Sequence, residues 1–204
     1  MSDQLTDRLN KILPKIISDE FLNGSGIGNE IGFYIFDYPP EEELRVRDHI
    51  RFLLDHVPKQ KPDLKVKHID LFGFILDYLK SRNLLEKALQ MEREKGDAAL
   101  KSALAGPLHP GKLVPVFREV AQPDKHDLVI VSGVGSVYPM LRASSLLNNL
   151  QQIMGRTPLL MFYPGKYDQM TLRLFGKLSL SVSSEGAGKT KKPEHYYRAF
   201  RLAP

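Results

Sequence analysis

The sequence predicts an α/β protein with a mostly parallel central sheet, helices on both of its faces and an N-terminal helix. Short apolar runs alternate with helical patterns through most of the chain, which favours parallel strands joined by right-handed crossovers. Residues 31–37 and 127–131 are continuous apolar runs, typical of strands covered on both faces. We expect a single domain over residues 1–204.

The first half of the chain begins with a predicted helix. Residues 3–19 place apolar side chains at helical spacing, and Pro14 should kink or divide that helix. The strand at 31–37 is followed by prolines and by the acidic residues 41–43, which suit the first turn of a helix. Residues 64–70 predict a shorter, more polar strand near a sheet edge.

The second half alternates in the same way. Helical pattern dominates residues 71–120, with a break at Gly96 and at two later Gly-Pro segments. Strands are predicted at 127–131 and 158–163, and a helix over about 139–153 separates them.

The C-terminal region predicts a closing strand pair. Residues 178–183 and 196–202 alternate in hydropathy, and the polar loop 184–193 joins them. We expect these two strands to form an antiparallel pair.

Composition limits the classes of function. Hydrophobic residues make up 42% of the 204 residues, and no run of 18 apolar residues is present, so no membrane contact is expected. The chain has no cysteine, which excludes disulfides and thiol chemistry, and its N-terminus lacks a signal-peptide pattern. A cytoplasmic protein is expected.

The positive charge is concentrated near the C-terminus, because residues 127–204 hold 10 Lys and Arg against 4 Asp and Glu. Such a region could face nucleic acid or an acidic protein partner. Any binding to DNA should be weak, independent of sequence and strongly salt-dependent. The main contributors are Arg173, Lys177, Lys189, Lys191, Lys192, Arg198 and Arg201.

Two segments are similar to parts of nucleotide-binding motifs. Gly188-Lys189-Thr190 matches the end of a P-loop, but Ser183 stands where the first glycine is required and no helix follows. Residues 133–135 read G-V-G, but Tyr138 occupies the third glycine position of a dinucleotide-binding turn. We therefore expect no nucleotide cofactor at either segment.

Catalytic and metal-binding patterns are also lacking. Ser132 lies outside a nucleophile-elbow motif, and the sequence places no His/Asp pair to activate it. The six histidines have no metal-ligand spacing. Asp37 and Asp70 could bind Mg²⁺ if their strands were neighbours, or each could cap the following helix. We expect a non-enzymatic protein without a bound metal.

The best candidate site lies where the predicted strands end. If the strands are parallel, the segments after Asp37, Asp70, 131 and 163 share one edge of the sheet, where ligands bind in such folds. Two glycine turns flanked by Arg142 and aromatic side chains should lie there. The predicted site for a partner or an anion comprises Ser132, Gly133, Gly135, Tyr138, Arg142, Tyr163, Gly165, Lys166 and Tyr167.

Several segments together carry a resemblance to a known family. They are 29–38 (NEIGFYIFDY), 132–139 (SGVGSVYP) with 141–142, 146–150 (LLNNL), 162–165 (FYPG) with 174–176, and 197–200 (YRAF). They resemble the BrxB family, small proteins of BREX (bacteriophage exclusion) gene clusters, and the resemblance covers essentially the whole chain.

The resemblance implies a role rather than a reaction. BREX clusters also encode an adenine-specific DNA methyltransferase, a large ATPase and a PglZ-type protein of the phosphatase superfamily, and they block phage replication. The resemblance implies an adaptor that binds another BREX protein, above all the PglZ-type protein, and it carries over no catalytic residues. The alternative is a nucleotide- or nucleic-acid-binding module that uses the basic C-terminal third.

Overall fold

A computed structural model of the chain describes residues 3–23, 32–141, 146, 149–150, 153–168, 171–176 and 199–204. The strands are β1 (Phe33–Tyr38), β2 (Val66–Asp70), β3 (Leu128–Ser132), β4 (Leu159–Tyr167), β5 (Leu172–Leu174) and β6 (Phe200–Arg201). The helices are α1 (Gln4–Asn10), α2 (Ile12–Ile16), α3 (Asp19–Asn23), α4 (Glu43–Gln60), α5 (Leu71–Ser81), α6 (Leu85–Ala105) and α7 (Pro110–Ala121).

The six strands form one sheet in the order β2-β3-β4-β1-β6, and β5 pairs with β4. All pairs along that order are parallel, whereas β4 and β5 are antiparallel. The predicted α/β class with a mostly parallel central sheet is confirmed. The polar strand predicted near an edge is β2, which ends the sheet.

Helices cover both faces because neighbouring strand residues point to opposite sides. Tyr34 and Phe36 pack with the buried residues of α1, α2 and α4. Phe33 and Ile35 pack with those of α5 and α7. The connection from β1 to β2 crosses the first face, and the connection from β2 to β3 crosses the second face. The two connections run in opposite directions along the sheet, so right-handed crossovers place them on opposite faces.

The N-terminal helical region is divided, as the sequence predicted. The break falls at Lys11, between α1 and α2, where the Lys11 amide bonds to the Arg8 carbonyl at 3.2 Å. Pro14 lies one turn later, and it has no N–H to donate to the carbonyl of Asn10. The missing hydrogen bond explains why the chain turns here instead of continuing as one helix.

The segment after β2 is helical, and α6 contains the break predicted at Gly96, whose φ of +75° is outside the helical region. The predicted helix over 139–153 does not begin at Pro139, because residues 139–141 form a turn and a bend, whereas residues 146, 149–150 and 153–154 are helical. No helix among the described residues is long and apolar enough to cross a membrane.

The described residues do not show the antiparallel strand pair that the sequence predicts at the C-terminus. β6 pairs in parallel with β1, with Tyr34 opposite Phe200 and Ile35 opposite Arg201. Its predicted partner, residues 178–183, lies outside the described residues. Alternating hydropathy indicates a strand but not the direction in which it pairs. The C-terminal segment pairs instead with the open edge of β1, where the Leu202 amide donates to the Ile35 carbonyl at 2.9 Å.

The Pro-Gly segment predicted as a turn is instead part of β4. At this position of β4 a backbone N–H is not required, so proline is tolerated. The Pro164 carbonyl accepts a hydrogen bond from the Phe175 amide at 3.0 Å. A Cβ at Gly165 would lie 2.2 Å from the Arg173 carbonyl oxygen, so glycine is required for β5 to approach. The strand therefore continues to Tyr167 and forms a hairpin with β5.

Candidate functional site

Parallel pairing places the carboxyl ends of four strands at one edge of the sheet. In β1 and β4, Asp37 lies opposite Tyr163. In β2 and β3, Asp70 lies opposite Ser132. The structure thus brings together the ends of the strands that the sequence singled out, and the segments that follow them form a shared surface.

The turn after β3 is closely packed against its neighbours. Gly133 has a φ of +72°, and a Cβ on it would lie 2.8 Å from an Asp70 carboxylate oxygen. A Cβ on Gly135 would lie 3.0 Å from Pro164 and 3.1 Å from Phe175. Both glycines are needed because the turn lies between the end of β2 and the β4–β5 hairpin.

Asp70 is a helix cap rather than a metal ligand. Its Oδ1 accepts hydrogen bonds from the amides of Phe72 at 2.9 Å and Gly73 at 3.0 Å, which satisfies the first turn of α5. β1 and β2 are separated by two strands, so Asp37 and Asp70 lie on the order of 14 Å apart at the usual strand spacing. They cannot share one ion, and the described residues contain no cluster of metal-binding side chains.

Asp37 joins four parts of the chain. It is 2% exposed. Its Oδ1 accepts from Arg8 Nη2 at 2.7 Å and from Arg201 Nε at 2.8 Å. Its Oδ2 accepts from Arg201 Nη2 at 2.9 Å and from the Tyr167 amide at 3.1 Å. This carboxylate therefore holds α1, β1, β4 and β6 together.

Ser132 has a histidine partner that the sequence did not indicate. His68 Nε2 on β2 lies 2.9 Å from Ser132 Oγ, although the sequence indicated no His/Asp pair placed to activate this serine. The two side chains meet because β2 and β3 pair in register. Burial lowers the pKa of His68, which favours the neutral ring, while Asp70 acts in the opposite direction.

The lowered pKa of His68 predicts a pH dependence of stability. Burial also lowers the pKa of His49. Below the ordinary histidine pKa of 6.5 the unfolded chain binds protons more readily than the folded one, so the free energy of unfolding should fall as pH falls below that value. Urea titrations across this pH range should show a smaller slope for His68→Gln. The control His109→Asn, an exposed cap of α7, should keep the wild-type slope.

Exposed apolar side chains are concentrated at the same edge. Seven large apolar side chains of the described part are exposed, and four of them lie at this edge: three in the segments that follow β1, β2 and β3, and one directly after β5. They are Leu44 (74% exposed), Phe72 (39%), Tyr138 (49%) and Phe175 (41%). We call these four residues the apolar edge. The sequence analysis overlooked Leu44 and Phe72.

Side-chain contacts link α4, the turn after β3 and the residue after β5 at this edge. The rings of Tyr138 and Phe175 meet edge to face, with centroids 6.1 Å apart. Arg47 of α4 donates from Nη2 to Ser136 Oγ at 3.3 Å. Arg47 also pairs with Glu43 at 2.8 Å, so its own charge is neutralised locally.

The predicted site residues separate into exposed and buried groups. Tyr138 and Lys166 are exposed and available to a partner. Tyr163 is 3% exposed and Tyr167 is 2% exposed, so both belong to the core instead of the surface. The Tyr167 hydroxyl donates to the Ala199 carbonyl at 2.7 Å, and burial raises its pKa to about 12. Arg142 lies outside the described residues.

Two of the predicted contributors to the basic C-terminal third are paired where the structure describes them. Arg173 lies 3.4 Å from Asp168, and Arg201 is bonded to Asp37. Both arginines therefore have an internal carboxylate. The other predicted contributors, at 177, 189, 191, 192 and 198, lie outside the described residues.

Comparisons with known proteins agree on one family. The sequence pattern of the family described as BREX protein BrxB matches residues 67–202. The chain is 41% identical over 197 residues to a BREX protein BrxB of Escherichia coli O9:H4 (strain HS), covering 97% of this chain and 90% of that protein. It is 37% identical over 203 residues to a BREX protein BrxB of Bacillus cereus (strain H3081.97), covering 98% and 97%. No solved structure matches significantly.

Proposed function

The chain belongs to the BrxB family and is a component of a BREX system, and we propose that it acts as a non-enzymatic adaptor that binds another BREX protein. The observation that carries this proposal is the apolar edge. The segments that follow β1, β2 and β3, and the residue after β5, each place one large apolar side chain in solvent, at the edge of the sheet where ligands bind in such folds. Exposed apolar side chains grouped in this way are typical of protein-binding surfaces.

The chemistry of the apolar edge suits a protein more than a nucleic acid. Tyrosine and phenylalanine are enriched in the centre of protein interfaces, where charged groups are depleted. Arg47 is the cation that contacts the turn after β3, and it is already paired with Glu43. The charge of Arg47 is therefore not available to a phosphate backbone.

The partner we propose is the PglZ-type protein of the same cluster. The resemblance noted in the sequence suggests this partner, and the apolar edge provides a surface on which a folded protein could dock. Because the contact would be made by side chains already exposed on rigid elements, the adaptor should bind without folding first.

Affinity purification from cells that carry the whole gene cluster tests this proposal. The tagged chain should bring down the PglZ-type protein in a constant ratio after nuclease treatment, which removes DNA bridges. Recovery of another BREX protein without the PglZ-type protein would contradict the choice of partner. Recovery of no BREX protein would contradict the adaptor function itself.

A further inference from the structure

A pocket of about 400 Å³ opens at the carboxyl edge of the sheet, beside the apolar edge. Its size falls within the range of about 300–1,000 Å³ that is usual for small-molecule sites. It lies where β1, β4 and β6 end. Ligands of open α/β sheets bind outside the carboxyl ends of the strands.

The floor of the pocket carries more positive than negative charge. Arg8 and Arg201 both face the single carboxylate of Asp37, and Lys166 stands at the rim. Within the part of the chain that the structure describes, the Nη1 groups of both arginines and the Lys166 ammonium have no protein acceptor. Glu41 also lines the pocket, but it is exposed to solvent. Three cations against the carboxylates of Asp37 and Glu41 leave an excess of one positive charge, which suits an anion.

An aromatic wall stands beside these cations. Phe175 lines the pocket, is 41% exposed and has a φ of +53°, a backbone region that bulky residues rarely adopt. Such a conformation at a pocket wall is a feature of binding sites, because the surrounding structure must hold it in place. Tyr38 also lines the pocket, and its hydroxyl is held by Glu43 at 2.5 Å.

We propose that this pocket binds a phosphate monoester carried on a small molecule with a flat ring. The phosphate is bound by Arg201 and Lys166, since arginine forks match phosphate geometry and an anion offsets the excess positive charge. The ring lies on the exposed side of Phe175. This inference goes beyond adaptor function. Phe175 belongs to both the pocket and the apolar edge, but loss of ligand binding and loss of partner binding are separate measurements.

Calorimetry with phenyl phosphate, inorganic phosphate and benzoate tests the pocket. Phenyl phosphate should bind more tightly than inorganic phosphate, and both more tightly than benzoate, which has a ring but one charge. Lys166→Glu should weaken both phosphates by about tenfold or more, because it removes a charge-assisted contact and adds a repulsive one. The control Lys125→Glu makes the same charge change before β3, at the opposite edge, and should bind as wild type does.

Phe175→Ala tests the ring independently of charge. It should abolish the advantage of phenyl phosphate over inorganic phosphate and leave the affinity for inorganic phosphate within about twofold, since the cations remain. Equal binding of all three compounds by wild type and Lys166→Glu would overturn the proposal. Binding of a single-stranded oligonucleotide that displaces phenyl phosphate, with no binding of adenosine monophosphate, would overturn the assignment to a small molecule.

Discussion

Replacement of Asp37 with alanine should lower the free energy of unfolding by about 3–5 kcal/mol, the usual cost of removing one partner of a buried ion pair. Asp37 is 2% exposed, and the side chain of Arg8 is 12% exposed. The substitution would leave the guanidinium groups of Arg8 and Arg201 close together without the carboxylate that balances them. Urea unfolding monitored by circular dichroism measures the change.

An exposed ion pair provides the control for Asp37. Arg51 and Asp48 lie 2.6 Å apart, with side chains 74% and 72% exposed. Solvent screens such a pair, so Asp48→Ala should cost less than about 1 kcal/mol. If the two alanine variants lost similar stability, the network around Asp37 would not be the link that holds the two ends of the chain.

The same variant should release the C-terminal segment. Arg8 Nε donates to the Ala203 carbonyl at 2.8 Å, and Lys15 Nζ donates to the Leu202 carbonyl at 2.7 Å. Both contacts depend on the placement of α1 and α2 over the end of β6. In Asp37→Ala, the Leu202 amide should exchange its hydrogen faster than in wild type under conditions in which the rest of the protein stays folded.

The sheet and its edge could be predicted from the sequence because they depend on local patterns. Continuous apolar runs indicate strands with two covered faces, and glycine with proline marks their ends. Local pattern misled in one place, since Pro164-Gly165 resembles a turn but lies inside β4. Residues 164–165 lie in a strand because the Arg173 carbonyl of β5 approaches Gly165 closely. The sequence next to Gly165 does not indicate this contact.

The contacts within the site depend on pairings between distant residues. His68 and Ser132 are 64 positions apart, and Arg201 and Asp37 are 164 positions apart. Neither pair can be inferred before the strand order is known. Leu44 and Phe72 could have been found, because each is an apolar residue in the first turn of a helix and is out of phase with the buried stripe of that helix.

Replacement of Leu44 or Phe72 with aspartate should reduce affinity for the partner protein by about 30-fold, which corresponds to about 2 kcal/mol for a residue at the centre of an interface. Each aspartate would bring an unpaired charge into a contact that excludes water. Each change also falls in the first turn of a helix, α4 or α5, where an acidic side chain is favourable. The variants should therefore fold normally.

Leu89→Asp provides the matched control for this experiment. Leu89 is 40% exposed, close to the 39% of Phe72, but it lies on α6 and not at the carboxyl ends of the strands. Thermal melting should first show that the two single variants, the double variant and Leu89→Asp are all folded. Co-purification with the PglZ-type protein should then fail for the double variant Leu44→Asp/Phe72→Asp and succeed for Leu89→Asp. If the double variant retained the partner as well as the control does, the partner would bind to a surface other than the apolar edge.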